Sequence, residues 1–472
     1  MCSSDLFCTS VVILTASWAS SAAVEQLPPL QMAANQHAIA SNVTKLIEEL
    51  HYSLPHLDNS LSSAILDRYL DTLDGNRMYF TAADVASFNR LRYELDDRTR
   101  TGDLPPVFDI FNLFRKRAGE RVEYAIGLLA KEPDFTVDES FRWDRNMLPW
   151  PATEAELNEV WRQNVKSDAL RLILTGKTWA DAAKILKERY ERSYKRVTQL
   201  TKEDVFETYM NAVAHNTDPH SSYLSPRQSE EYRIQMSLSY DGIGASLQLE
   251  DDYVKVTNII PGGPAQIDGQ LKPEDRITAV GEGGAEPVDV IGWRLDDVVG
   301  KIRGPSGSKV RLQVLPAGAQ PGSPEKTIEL KRDKIKLEEQ AAKKQRLEIP
   351  FEGKTYKIGV ITVPSFYQDF AARSRGEEDY TSTSRDVTRL LDEFKAEGGI
   401  DGLVMDLRAN GGGHLSEATE LSGLFIDRGP VVQLRETRGT IQQLDDPSPG
   451  AVYTGPMGVL VDRYSASASE IF

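Results

Sequence analysis

The sequence predicts a multidomain α+β protein, with a helical N-terminal domain, a small partly open β-barrel and an α/β domain in that order. Three observations predict it. Apolar residues recur at three- and four-residue intervals from about residue 36 to 235. From about Leu238, short stretches that alternate apolar and polar residues are broken by Gly and Pro. From Lys357 onward, strand-like and helix-like segments take turns, the signature of crossover units around a largely parallel sheet.

The helical region justifies itself segment by segment. "SSAILDRYLDTLDG" spaces Ile65, Leu66, Tyr69, Leu70 and Leu73 along one stripe, with Gly75 as its stop signal. "LPWPATEAELNEVW" starts a helix after Pro151, with Thr153 and Glu156 in capping-box spacing. "TWADAAKILKERYERSYKRVTQL" puts Ala182, Ile185, Leu186 and Tyr190 on one face and charges on the other. These residues make a core, and no repeat period emerges.

In the middle region "GASLQLEDDYVKVTNII" alternates in strand fashion, "PGGPA" punctuates it, and "LKPEDRITAVGEGG" supplies another strand. "IGWRLDDVVGKIRG" is a short helix, and "SKVRLQVL" and "KTIELKR" are further strands. The last region reads as strand "KIGVITV", helix "SRDVTRLLDEFKAEGG", strand "GLVMDLR", helix "LSEATELSGLFI", then strands "PVVQLR" and "MGVLVD".

Composition excludes several functions. A net charge of −16 argues against a nucleic-acid partner, because phosphate binding needs clustered Lys and Arg. At the N-terminus "VVILTASWASSAA" reads as an apolar run before small residues, with a cleavage point near Ala22 or Ala23. It is atypical, since "MCSSDLFC" lacks basic residues and carries Asp5. Both cysteines, Cys2 and Cys8, fall inside this stretch, so the mature chain is expected to lack disulfides and thiolate metal sites. No later apolar run approaches the roughly 18 residues needed to span a bilayer. The expectation is export to the periplasm with no membrane span and no cofactor.

Three motifs carry chemistry. "GIGA", Gly242, Ile243, Gly244 and Ala245, is a turn whose converging amides suit a carboxylate, followed by a strand that a peptide could extend. "DLRANGGGHLSEA" places a glycine cluster between a strand end and a helix start, where backbone N–H groups can face a developing negative charge. It matches neither phosphate-loop nor dinucleotide-binding patterns. "VLVDRYSASASEIF" runs from a strand into a helix start. Ser467 and Glu470 have capping-box spacing, yet such turns also expose nucleophilic serines. Periodicity does not choose among Ser465, Ser467 and Ser469. His414, beside the glycine turn, is the one histidine adjoining this region, and no histidine spacing suits a metal.

These residues resemble the tail-specific proteases, or C-terminal processing peptidases, of the S41 serine peptidase family, and in particular its periplasmic members. The resemblance runs along nearly the whole chain, through "DRYL", "DPHSSYLSP", "MSLSYDGIGA", "VDVIGWRLDDVV", "GSKVRL", "DLRANGGG", "LSGLFI" and "VDRYSASASEIF". It implies a PDZ domain at 236–335 between a helical domain at 24–235 and an S41 peptidase domain at 336–472, with residues 1–23 as signal peptide. It implies Ser467 as nucleophile and an oxyanion hole from Ala468 with Gly412 or Gly413. The peptide groove would use Gly242–Ala245 with Leu295, Val298 and Val299. It implies a lysine general base in a "GKG" segment roughly 25 residues after the serine, and hence beyond Phe472, so that the sequence reads as an inactive fragment. An assisting acidic residue is expected beyond Phe472 as well. Protein substrates with apolar C-termini, and an adaptor of unknown identity, are the expected partners. The rival expectation is a non-catalytic PDZ scaffold that binds peptide tails.

Overall fold

The computed structural model describes residues 27–472 except 54, 438 and 447. The signal-peptide reading, with Cys2 and Cys8, lies outside the described residues. No helix among the described residues is long and apolar enough to cross a membrane. The chain divides into two compact units, one running to Glu49 and resuming from Pro55 to Tyr223, the other comprising Leu50–Leu54 and Leu224–Phe472.

The first unit is helical. Helix Asn59–Asp74 is capped by the Asp58 carboxylate, which accepts from Leu61 N–H, and it buries Ile65, Leu66, Tyr69 and Leu70 in one core with Phe108 and Phe111 of helix Pro105–Leu128. Gly75 ends it in right-handed geometry, so the left-handed freedom of glycine is not what stops this helix. The turn is built by Asp74, whose buried carboxylate accepts the amides of Met78, Tyr79 and Phe80 at 2.7–2.9 Å. Helix Glu154–Leu174 starts at Thr153 as its spacing predicts. Glu156, however, closes on the amide of Ala152, one residue before the cap. With helix Trp179–Thr198 it forms a second core around Trp161, Leu186 and Tyr190.

The second unit opens with helix Pro226–Ser237 and strand β1 (Ser239–Gly242). Strands β2 (Ala245–Glu250), β3 (Tyr253–Ile259), β4 (Arg276–Glu282), β5 (Val288–Asp289), β6 (Lys309–Leu315) and β7 (Lys326–Lys331) make one sheet in the order β2-β3-β4-β6-β7, with β5 on β4. The sheet stays open, with β2 and β7 at its edges. Helix Leu295–Ile302 closes over a core of Val254, Val256, Ile277, Val280, Val310 and Leu312. Its C-terminal carbonyls, Lys301 O and Ile302 O, accept from the fully buried Arg332 at 2.9 and 2.7 Å. The same guanidinium is paired with Glu282, so a buried cation is fully hydrogen-bonded. Strand β8 (Asp333–Lys336) then returns to pair antiparallel with β1.

A four-stranded sheet follows, ordered β14-β11-β10-β9, from β9 (Lys343–Phe351), β10 (Lys354–Thr362), β11 (Gly402–Asp406) and β14 (Met457–Leu460). Strands β10, β11 and β14 are parallel, as the crossover pattern predicts, and β9 is an antiparallel edge. Helix Thr383–Ala396 covers one face, with Phe394 and Ile400 packed so closely on Gly359 that a Cβ there would lie 2.8 Å from Ile400 Cδ1. "PVVQLR" does not join this sheet. It forms β12 (Gly429–Arg435), paired only with β13 (Ile441–Asp446) in a separate antiparallel ribbon. The strand was legible and its partner was not, because pairing is a long-range choice.

Candidate active site

Two chain reversals at the ends of neighbouring parallel strands make the site. After β11, Leu407 N–H still donates to Leu460 O at 2.9 Å, so the two strands leave the sheet side by side. The first reversal is the glycine turn, and Ala409 enters it at φ +59°. Asn410, fully buried, follows, and Gly412 and Gly413 adopt φ +104° and +149°. Phe366 N–H donates to Gly412 O at 2.9 Å and His414 N–H donates to Phe366 O at 2.8 Å, a parallel bridge centred on Gly413. Helix Leu415–Gly423 starts there.

The second reversal is the serine turn, and it separates the three serines. Ser465 Oγ donates to Leu407 O at 2.8 Å and accepts from Asp462 N–H at 2.9 Å. Ser469, buried, donates its hydroxyl to Asn410 O at 2.9 Å. Ser467 is exposed and sits at φ +57°, ψ −115°, outside the regions that non-glycine residues favour. Holding a residue there costs of order 1–3 kcal/mol, and such strain is common at catalytic turns. Ser467 caps the short helix Ala468–Ile471, and its own N–H donates to Glu470 Oε2 at 2.6 Å. Asp462 braces both turns, since its carboxylate accepts Ala409 N–H at 3.1 Å and Tyr464 N–H at 2.9 Å. Those amides hold the Asp462 carboxyl below the usual range.

The turns touch. A Cβ built on Gly412 would lie 2.7 Å from Ser467 Cβ and 3.1 Å from Ala468 N, so glycine alone lets them approach. The Gly412 amide is already committed, donating to Asn410 Oδ1 at 2.9 Å. Of the two glycines expected to line the oxyanion site, Gly412 therefore has its N–H engaged within its own turn. The Phe366 bridge uses Gly412 O and His414 N–H, and parallel pairing therefore turns the N–H of Gly413 away from Phe366. Ala468 opens its helix, and amides of a first turn have no intrahelical partner.

His414 stacks on Phe370, with centroids 6.2 Å apart and planes at 6°. Burial, then the charge of Arg373, holds its imidazole below the ordinary value. Behind the glycine turn the fully buried Glu417 accepts from Gln368 Nε2 at 2.5 Å, Ser382 Oγ at 3.0 Å and Ser384 N–H at 2.8 Å. Burial pushes its carboxyl up against those bonds. Asn410, Asp462 and Glu417 are not singled out by the sequence, because partners that give them their place lie dozens of positions away. No group of three or more His, Cys, Asp or Glu among the described residues is placed to hold a metal ion.

At the other candidate site, Gly242 ends β1 and Ala245 begins β2, with Gly244 at φ +75° between them. Ile243 O and Gly244 O accept from Ala265 and Ile260, which fixes the loop. Edge strand β2 lies beside helix Leu295–Ile302. Val298 is not at the surface between them. It is fully buried in the sheet core with Ile302, one turn further on. Leu295 and Val299, the neighbouring pair at the same four-residue spacing, stay half-buried.

Three families match the chain: Tail specific protease N-terminal domain over residues 43–227, PDZ domain over 231–315 and Peptidase family S41 over 357–472. A Tail-specific protease of Haemophilus influenzae is 40% identical over 91% of this chain and 59% of its own length. A Probable CtpA-like serine protease of Staphylococcus aureus is 34% identical over 54% of this chain and 45% of its own. The chain thus spans less than two thirds of these relatives. Among solved structures, the PDZ domain of a Carboxy-Terminal Protease from Vibrio cholerae in complex with peptide is 51% identical. It matches 21% of this chain and all of that one, with a TM-score of 0.20.

Proposed function

The chain belongs to the tail-specific proteases of peptidase family S41, and on that premise we propose that it serves a serine endopeptidase that grips protein C-termini and cleaves at Ser467. One observation carries the choice of nucleophile: the hydroxyls of Ser465 and Ser469 are held by Leu407 O and Asn410 O, while Ser467 is exposed on a strained turn against the glycines. In this reading Ser467 Oγ attacks the peptide carbonyl, and the amides of Ala468 and Gly413 receive the oxyanion. A lysine takes the serine proton and returns it to the leaving amine. The enzyme works in the periplasm on proteins with apolar tails.

The base is tested by a pH–rate profile. An amine base acts only when neutral, so activity should rise with pH through an apparent pKa above that of histidine. A profile already on its plateau below about pH 6.5, abolished in His414→Ala, would assign the base to His414 instead, whose imidazole is held low.

Tail capture follows from the open edge of β2 and the loop before it. The amides around Gly242–Ala245 hold the terminal carboxylate, β2 pairs with the peptide backbone, and Leu295 and Val299 receive the last apolar side chain. Amidating a peptide's C-terminus removes the charge and leaves the side chains unchanged. It should weaken binding tenfold or more, about 1.4 kcal/mol, in a titration against the whole chain. Equal affinities for acid and amide would rule out carboxylate capture by this loop. The rival reading, a non-catalytic tail-binding scaffold, predicts the same titration but no cleavage under any condition.

A further inference from the structure

The bonds of Asn410 reach both turns of the site and the chain leaving the sheet behind them. Its Nδ2 donates to Val363 O, just past the end of β10, at 2.8 Å. Its Oδ1 accepts Gly412 N–H at 2.9 Å. Its backbone carbonyl accepts twice from the serine turn, from Ala466 N–H at 3.1 Å and Ser469 Oγ at 2.9 Å. Asn410 is fully buried, so each bond left unmade would cost the desolvation of its group. These bonds flank Ser467 on both sides, at Ala466 and Ser469, and they consume the amide of the glycine that touches it.

We propose that Asn410 is a positioning residue that locks the glycine turn to the serine turn in one register, leaving Gly413 rather than Gly412 to face the reacting oxygen. The backbone carbonyl makes the bonds to the serine turn, and the bifunctional side-chain amide fixes where that carbonyl stands. The donor end fixes its depth against β10, and the acceptor end then takes the Gly412 amide out of competition. A hydroxyl is too short for both tasks, and a carboxylate would place an acceptor against Val363 O. The catalytic part of this proposal rests on Ser467 as nucleophile; the mechanical part does not.

Hydrogen exchange on the intact chain tests the mechanical part. Asn410→Ala should speed exchange about tenfold or more in both 408–414 and 464–470, with helix Thr383–Ala396 unchanged. Unchanged exchange in 464–470 overturns the lock. If Asn410→Ala fails to fold, Asn410→Asp decides, since it keeps the Gly412 acceptor and loses only the donor to Val363. It should loosen 464–470, and wild-type exchange there overturns the proposal. In the active enzyme, Asn410→Asp should lower kcat by about 100-fold with KM within about threefold, the loss typical of a misplaced oxyanion donor. An unchanged kcat overturns the positioning role. Should Ser467→Ala retain activity while exchange couples the two turns, the nucleophile assignment fails and the lock stands.

Discussion

In the active, lysine-containing enzyme, replacing Ser467 by Ala is expected to lower kcat by about 10⁴–10⁶-fold, the loss seen when a serine hydrolase is stripped of its nucleophile. The stability cost should stay near about 1 kcal/mol, the loss of the N-cap of helix Ala468–Ile471, because the residue is otherwise exposed. Ser465→Ala should behave differently. It removes a hydroxyl that joins Leu407 O to Asp462 N–H, costing about 1 kcal/mol of stability with activity lowered far less. The measurement is single-turnover cleavage of an unfolded reporter ending in small apolar residues, beside thermal unfolding of each variant. Activity surviving in Ser467→Ala and lost in Ser465→Ala would move the nucleophile to Ser465.

The second large effect separates three consecutive glycines. At Gly413 an added Cβ would lie 2.3 Å from Phe366 O, at φ +149°. At Gly412 it would lie 2.7 Å from Ser467 Cβ, at φ +104°. At Gly411 it would meet nothing within 4 Å. Gly413→Ala should cost about 2–4 kcal/mol of stability, because backbone must move and the Phe366 bridge breaks. Gly412→Ala should push the serine turn away and lower kcat by about 100-fold or more at a smaller stability cost. Gly411→Ala should be close to neutral in both. If all three variants lose activity alike, close approach is not the reason for these glycines. Urea unfolding and the same cleavage assay read both quantities.

The comparison of residues shows why some of this was legible in the chain. Ile65, Leu66, Tyr69 and Leu70 were readable as a buried stripe because helical periodicity is a local property. The alternation after Lys357 was readable as parallel crossover units for the same reason. The glycine and serine turns were readable as motifs because unusual backbone angles and tight approach restrict residue type over a few positions. Val298 is expected at the peptide site, and the structure buries it completely in the sheet core. It shares its stripe with Leu295 and Val299, and only the sheet beneath the helix selects which edge of that stripe is buried. β12 was read as a strand correctly and given the wrong sheet, since its register with β13 is not encoded in its own pattern.

By itself, then, the sequence determined the order of the helical, β-rich and α/β regions, the helical stripes, the glycine-containing loop before β2 and the presence of a glycine turn and a serine turn, each leading from a strand into a helix. Those are properties of residues within a few positions of one another, where sterics and periodicity act directly. Only the tertiary structure shows which serine hydroxyls are tied to distant carbonyls and which glycine amide is engaged. Ser465 and Ser469 are held by carbonyls 58 and 59 positions away, and Gly412 is held by a side chain anchored 47 positions upstream at Val363. A hydroxyl or amide is freed or engaged by whichever partner folding brings within about 3 Å, and no local pattern carries that information.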